Sequence, residues 1–164
     1  MKLCFSVDGG EGNSFLVSME PFEKSVLPDE LESALRGIEI LDVTLERSSG
    51  ESNASARVLN DISTFIASVF FDNPKSILYF YCDDIHEVPG MSEKKNMLPQ
   101  AYRSRLFSRM FERYVSVNHI EGVQNYPIEI HLEDREIFIH LISTDDNLPV
   151  MRAIGDAILG MKDK

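Results

Sequence analysis

The chain has 164 residues, 43% of them hydrophobic, which is typical of one globular domain with a substantial core and excludes wholesale disorder. Its net charge of −11 gives a field that repels nucleic acid and anionic membranes, so neither is expected as a partner. The chain has no apolar leader and no apolar run of about 18 residues, so we expect a soluble cytoplasmic protein.

The two cysteines, Cys4 and Cys82, both lie in apolar, strand-like segments. Two cysteines make neither a disulfide framework nor a zinc motif, so we expect both to be buried, reduced thiols. The G-x-S-x-G elbow, Walker loops, H-E-x-x-H and C-x-x-C motifs of familiar enzyme classes are absent, and no cofactor is expected.

The first 50 residues predict three strands and a short helix. Residues 2–7 and 14–19 form a predicted β-hairpin around a glycine-rich turn. A phosphate-binding loop is excluded there, because neither a Lys-Ser/Thr pair nor a helix follows Gly12. Residues 28–37 predict a short helix that ends at its glycine, and residues 38–47 predict a third strand whose imperfect alternation suggests a bulge.

A long helix is predicted at residues 52–71, followed by a strand at residues 77–81. Apolar residues recur at helical spacing through the first of these segments, and Ser52 or Asn53 is the expected N-cap. The second segment is a short apolar run, which predicts a strand covered on both faces of the sheet.

Asp83 and Asp84 directly follow that strand. Carboxylates at the end of a central strand lie at the rim of the sheet, where open sheets often bind ligands, so both are candidate binding residues. The alternative is that they only end the strand and begin a polar turn.

An unusually long loop, residues 85–98, leads to a helix predicted at residues 99–116. On a helical projection its apolar side chains share one wide arc, which is expected to pack on the sheet. Arg105 and Arg109 point away from this arc. Arg113 lies at the margin of the arc, from which its side chain can reach solvent.

Arg103 is the exception on this helix, because it falls near the middle of the apolar arc. An arginine there needs a partner or a route to water. We expect either an ion pair of Arg103 with Asp83 or Asp84, or a frayed first turn in which its side chain extends to solvent.

The apolar strand ending in Cys-Asp and the downstream R-x-R-L-F-x-R-x-F helix form a recognisable combination. Its residues are Cys82, Asp83, Arg103, Arg105, Leu106, Phe107, Arg109 and Phe111. This part of the chain resembles a small family of uncharacterised bacterial proteins, a domain of unknown function. The resemblance implies no catalytic residues. Members of that family carry a shorter, Asp-rich link where this chain has the loop at residues 85–98.

Residues 128–132 and 137–142 predict a second hairpin, with Leu132 facing Ile137 and Glu129 opposite His140. The isoleucines and leucines then share the core face. The opposite face carries Glu129, His131, Phe138 and His140. Two histidines and a glutamate suggest zinc ligation, but any strand places alternate residues on one face and a phenylalanine indicates packing. A structural role is therefore favoured, and no metal is assigned.

A last helix is predicted after an N-cap at Asp145, Asp146 or Asn147, with Pro149 in its first turn. The whole pattern contains two hairpins and does not repeat the βαβ unit throughout. We therefore predict a single α+β domain over residues 1–164. It should have a mainly antiparallel or mixed sheet of about six strands and three main helices, the long ones on one face.

The favoured function is a non-catalytic binding module. Its arginine-rich helix face, formed by Arg105, Arg109 and Arg113 with the loop at residues 85–98, would bind an acidic protein, a second copy of the chain or a phosphorylated ligand. Residues 93–113 carry a local charge of +4 in a chain of net charge −11. Only an intrahelical pair of Arg109 with its i+3 glutamate favours a merely solvated face.

The alternative function is a metal-assisted hydrolase acting on an anionic or phosphorylated substrate. Asp83 and Asp84 would hold a cation or act as a base, and Arg103 would stabilise negative charge. The sequence does not decide whether the protein is an enzyme.

Overall fold

The computed structural model describes residues 2–50, 55–82 and 99–161, without the side chains of residues 99, 100 and 102. Its strands are β1 (Leu3–Gly10), β2 (Asn13–Pro21), β3 (Ile40–Ser49), β4 (Ile77–Cys82), β5 (Val123–His131) and β6 (Glu136–Thr144). Its helices are α1 (Ala56–Asp72), α2 (Pro99–Val117) and α3 (Leu148–Met161). One six-stranded mixed sheet carries these helices, which confirms the predicted single-domain α+β fold.

The strand order is β1-β2-β3-β4-β6-β5. Only β3 and β4 pair in parallel, because the chain between them crosses over through α1, whereas the other neighbours are antiparallel. β4 is therefore an interior strand, as predicted. Its Ile77, Leu78, Phe80 and Cys82 are buried. Tyr81 is 37% exposed, so the expected cover on both faces fails at the end of this strand.

The helices divide between the two faces of the sheet. The two longest, α1 and α2, pack on one face over side chains such as Val43 and Phe80. α3 and the segment between β2 and β3 pack on the other face, over Ile77 and Ile139. The long helices share a face as expected, but the third lies opposite them. α3 covers the apolar face of the β5–β6 hairpin, which would be exposed to water without it. No helix in the described ranges is long and apolar enough to cross a membrane.

The β5–β6 hairpin differs in register from the prediction. Ile130, rather than Leu132, pairs with Ile137, because the Leu132 N–H bonds the Arg135 carbonyl at 2.8 Å and takes Leu132 into the turn. A shift of two residues leaves every side chain on its predicted face. Glu129 lies opposite Phe138 and not opposite His140, so that part of the prediction is wrong.

Three local predictions need correction. The N-cap of α1 is Ser55, whose side chain accepts a bond from the Val58 N–H, while the expected caps at residues 52 and 53 lie outside the described residues. The irregularity of β3 lies near Ser48, where the register with β2 shifts, and not near its start. Cys4 is exposed because it lies on the edge strand β1, whereas Cys82 is buried as expected.

The short helix predicted at residues 28–37 forms only as a 3-10 turn, and a further 3-10 turn lies where the N-cap of the last helix was predicted. The segment after Pro28 forms a 3-10 turn at Asp29–Leu31 and continues as turns to Gly37, whose φ of 79° suits glycine. Before α3, Asp145–Asn147 forms another 3-10 turn. Pro149 is in the first turn of α3, where its missing N–H leaves no helical bond unmade.

Candidate functional site

The arginine face of α2 consists of Arg105, Arg109 and Arg113. All three side chains are exposed, so the prediction that Arg105 and Arg109 face outward is confirmed. No ion pair joins any of them to a carboxylate within the part of the chain that the structure describes, and the Arg109–Glu112 pair is not formed. Like charges at i, i+4 spacing repel each other, so this face is suited to an added negative charge.

A groove runs between α1 and α2 beside the arginine face. Part of it is a cavity of about 250 Å³. Its lining comprises Ala56, Leu59, Asn60, Ser63, Leu106, Arg109, Met110, Arg113 and Tyr114. The floor is therefore largely apolar, and two members of the arginine face stand at its rim.

The groove continues towards the far ends of both helices as an almost wholly apolar crevice. Ser63, Met110 and Tyr114 line both cavities, so the two are neighbours along the same pair of helices. Phe70, Phe107 and further apolar side chains line the crevice, and Phe71 at its margin is 45% exposed. Amphipathic helices commonly bind in apolar grooves of this kind.

Arg103 is buried, with 3% of its surface exposed, so the alternative of a side chain extending to solvent is wrong. Its Nη1 donates to the Leu45 carbonyl oxygen at 2.7 Å, at the carboxyl end of the parallel pair β3–β4. It lines cavities on both faces of the sheet. Asp83 and Asp84 lie outside the described residues, as does the loop at residues 85–98, so the predicted ion pairs stay predictions.

A chain of polar side chains, not predicted from the sequence, links α2 to the last hairpin. Ser104 Oγ lies 2.7 Å from His140 Nε2, and His140 Nδ1 lies 2.9 Å from Asn125 Oδ1. An amide oxygen only accepts, so Nδ1 carries the proton and the Ser104 hydroxyl donates to Nε2. Asn125 Nδ2 in turn donates to Ser108 Oγ at 3.3 Å.

A hydroxyl, an imidazole and an orienting amide occur in this order in nucleophilic triads. His140 is only 1% exposed, however. Ser104 lies within the second turn of α2, where backbone N–H groups are bonded inside the helix and cannot form an oxyanion hole. We therefore interpret the chain as a structural tie between α2, β5 and β6.

His140 is held in its neutral form by this environment. Burial lowers its pKa to about 4, and an interaction with the backbone of Ser104 acts in the opposite direction. The imidazole is therefore uncharged at neutral pH. Phe107 packs beside it, with ring centroids 5.3 Å apart.

The two histidines of the zinc hypothesis do not converge. His140 is buried, and both of its nitrogens are hydrogen-bonded. His131 is exposed and lies near Glu129 and Glu136, with nitrogen–oxygen distances of 3.6 and 3.2 Å. Among the described residues, no group of three histidine, cysteine or acidic side chains is placed to hold a metal ion.

The sequence could have suggested parts of this arrangement. Ser104 and Ser108 are four residues apart, so they share the flank of α2, and the strand period places His140 beside Phe138. Their meeting depends on how α2 lies across β5 and β6, for which no local pattern exists.

Comparisons of this chain with protein-family models, curated proteins and solved structures find no match. The resemblance to a bacterial family therefore stays an expectation. The groove and the arginine face are the features of the described residues that bear on function.

Proposed function

We propose that the protein is a non-catalytic binding module that takes an acidic, amphipathic helical segment of a partner protein. The segment would lie in the groove between α1 and α2, with its carboxylates against the arginine face. The observation that carries this proposal is the position of Arg109 and Arg113 at the rim of an apolar groove.

The groove would supply the apolar part of the binding energy. Leu59 of α1 lines one wall, and Leu106 and Met110 of α2 line the other. A bound helix with apolar residues at i, i+3, i+4 and i+7 can therefore contact both walls. Removing this surface from water stabilises the complex by about 25 cal/mol per Å² of apolar area, before the cost of ordering the segment.

The arginine face would select the sign of the partner's charge. Guanidinium groups bind carboxylates in a two-pronged geometry, and these three lack competing acids within the described ranges. In a protein of net charge −11, such a face is a local exception that guides an acidic segment to one surface.

The test uses fluorescence anisotropy with two labelled helical peptides. Both carry leucines at i, i+3, i+4 and i+7, and their flanks are glutamate in one peptide and lysine in the other. We expect the acidic peptide to bind, and the double variant Arg109→Glu/Arg113→Glu to weaken binding by about tenfold or more. Raising NaCl from about 50 mM to about 500 mM should weaken it as well, through screening.

The matched control is Arg36→Glu/Arg152→Glu. This variant changes the net charge equally but alters exposed arginines in other parts of the chain. It should bind the acidic peptide within about twofold of the parent protein. Equal loss in both variants, or equal binding of the acidic and basic peptides, would contradict the proposal. Binding of a short phosphopeptide alone would favour a phosphorylated ligand instead, and self-association blocked by the peptide would favour a second copy of the chain.

The hydrolase alternative remains a separate prediction. Its two carboxylates, Asp83 and Asp84, lie outside the described residues, and Arg103 is buried and donates to the Leu45 carbonyl oxygen. Metal analysis of the purified protein tests it directly. A stoichiometric divalent ion that is lost in Asp83→Asn would support the hydrolase alternative. If the protein binds no metal when divalent ions are added at millimolar concentration, this alternative has no support.

A further inference from the structure

Among the described residues, the sheet face that carries α3 is not fully covered where β3 and β4 approach their carboxyl ends. A cleft of about 260 Å³ lies there. Asp42 and Thr44 of β3 lie beside Tyr79 and Tyr81 of β4 in its floor, and Phe22, just after β2, forms a wall. The cleft is separate from the groove of the proposed function, which lies on the opposite face of the sheet.

Asp42, in the lining of this cleft, lies beside a second carboxylate. Asp42 is partly buried and pairs across the strands with Glu20. Burial, and then the Glu20 carboxylate, raise the pKa of Asp42. Asp42 forms no ion pair or side-chain hydrogen bond with another residue of the described ranges. A carboxylate held beside a like charge is stabilised by any cation that enters.

The lining of the cleft is also aromatic. The rings of Phe22 and Tyr79 are tilted by 48° with centroids 4.5 Å apart, and Tyr81 is 37% exposed. Burial, followed by the Asp42 charge, raises the pKa of Tyr79, so its phenol stays protonated at neutral pH. The negative faces of aromatic rings attract alkylammonium groups, which keep less of a hydration shell than metal ions do.

The positive group in the lining of the cleft is Arg103. Arg103 reaches the cleft where its guanidinium donates to the Leu45 carbonyl oxygen. Leu45 is three residues beyond Asp42, about 10 Å along an extended strand. The hydrogen bond of Arg103 is therefore made at some distance along β3 from Asp42, whose pKa is raised by burial and by Glu20.

We propose that this cleft binds a small organic cation, whose methylated ammonium group contacts Tyr79, Tyr81 and Phe22 and is neutralised by Asp42 and Glu20. A metal ion fits less well, because no group of three ligating side chains is placed to hold one in the described ranges. Aromatic rings beside a carboxylate are the recurrent solution for quaternary ammonium groups.

The experiment titrates choline into the ¹⁵N-labelled protein and follows amide chemical shifts. We expect saturable shifts confined to residues around Asp42 and Tyr79. The neutral isostere 3,3-dimethylbutan-1-ol should bind at least about fivefold more weakly, because it keeps the shape but not the charge. Asp42→Asn and Tyr81→Ala should each weaken choline binding by about fivefold. Tyr81 is partly exposed, so its variant tests the site even if Asp42→Asn fails to fold.

Glu129→Gln is the matched control. It removes the same charge from an exposed position on the opposite face and should bind choline as the parent protein does. Unchanged shifts in the presence of choline, equal binding of the neutral isostere, or full affinity in both cleft variants would overturn the proposal. The arginine variants of the groove should leave choline binding unchanged, so the two proposals can fail independently.

Discussion

At the scale of single residues, His140 shows how burial sets protonation. Its Nε2 accepts a hydrogen bond from the Ser104 hydroxyl, and its Nδ1 donates one to the Asn125 side-chain oxygen. Only the neutral ring can make both bonds. Protonation would place a charge in a site that is 1% exposed and would remove the acceptor for Ser104. The network therefore contributes stability that depends on pH.

We expect His140 to make the protein sensitive to mild acid. Its pKa is about 4 in the folded protein, against about 6.5 in an unfolded chain, so the unfolded state binds more protons between these values. The free energy of unfolding should fall by about 3 kcal/mol from this group as the pH falls from 7 to 4. Urea denaturation of the parent protein and of His140→Gln, across this range, measures the difference.

The matched control is His131→Gln, which alters an exposed histidine on the same hairpin. It should keep the acid dependence of the parent protein. If His140→Gln loses stability between pH 7 and pH 4 as steeply as the parent protein does, burial of a neutral His140 is not the cause.

Arg103 shows what can be predicted for one residue. The helical periodicity predicts its position in the middle of the apolar arc, and burial follows from that position. Its acceptor, the Leu45 carbonyl, is a backbone group with no signature in the sequence. The prediction therefore identified the residue that needed a partner but not this partner.

At the scale of elements, α3 depends on close contact with β5. Gly155 is buried in this contact, and a Cβ added there would lie 2.9 Å from Tyr126 Cε1. At Gly160, near the end of the same helix, an added Cβ would meet nothing within 4 Å. The same substitution should therefore have opposite effects at the two positions.

We expect Gly155→Ala to lower the free energy of unfolding by about 1 kcal/mol. The gain in helix propensity is about 1 kcal/mol, and the overpacking against Tyr126 should exceed it. Gly160→Ala should raise stability by a few tenths of a kcal/mol or leave it unchanged. Denaturant unfolding of both variants measures the difference, and equal stabilisation would show that α3 can move away from β5.

The elements themselves were largely predictable, because apolar periodicity is a local property. The helices now seen as α1 and α2 were expected within four residues of their bounds. The β5–β6 register was not, because it depends on a turn bond at Leu132. The face of the sheet on which α3 packs also could not be predicted from the sequence, because the apolar stripe of α3 could pack on either face.

At the scale of the whole molecule, the net charge of −11 opposes the compact state through repulsion among carboxylates. At pH 7.5, raising NaCl from about 20 mM to about 500 mM should raise Tm by roughly 2–5 °C, because the repulsion is screened. Calorimetry measures the shift. At pH 5, where the net charge is smaller, the same salt step should raise Tm less, and an equal rise would exclude net charge as its cause.

The candidate site was predictable only in part. The outward direction of Arg105 and Arg109 follows from the helix alone. The groove beside them does not, because it needs the position of α1 against α2, and that is set by packing on the sheet. The aromatic, acidic cleft joins residues as far apart as Phe22 and Tyr81. No short pattern connects them.

The place of β6 between β4 and β5 has a consequence for biosynthesis. β4 is a markedly apolar strand, and its second neighbour begins only at Glu136. A nascent chain that has not reached β6 would present one long side of β4 as an unprotected edge, with its peptide groups ready to pair with another chain. Ribosome stalling or proteolysis before that point should therefore yield fragments that aggregate, and chaperone dependence should end once β6 is inserted.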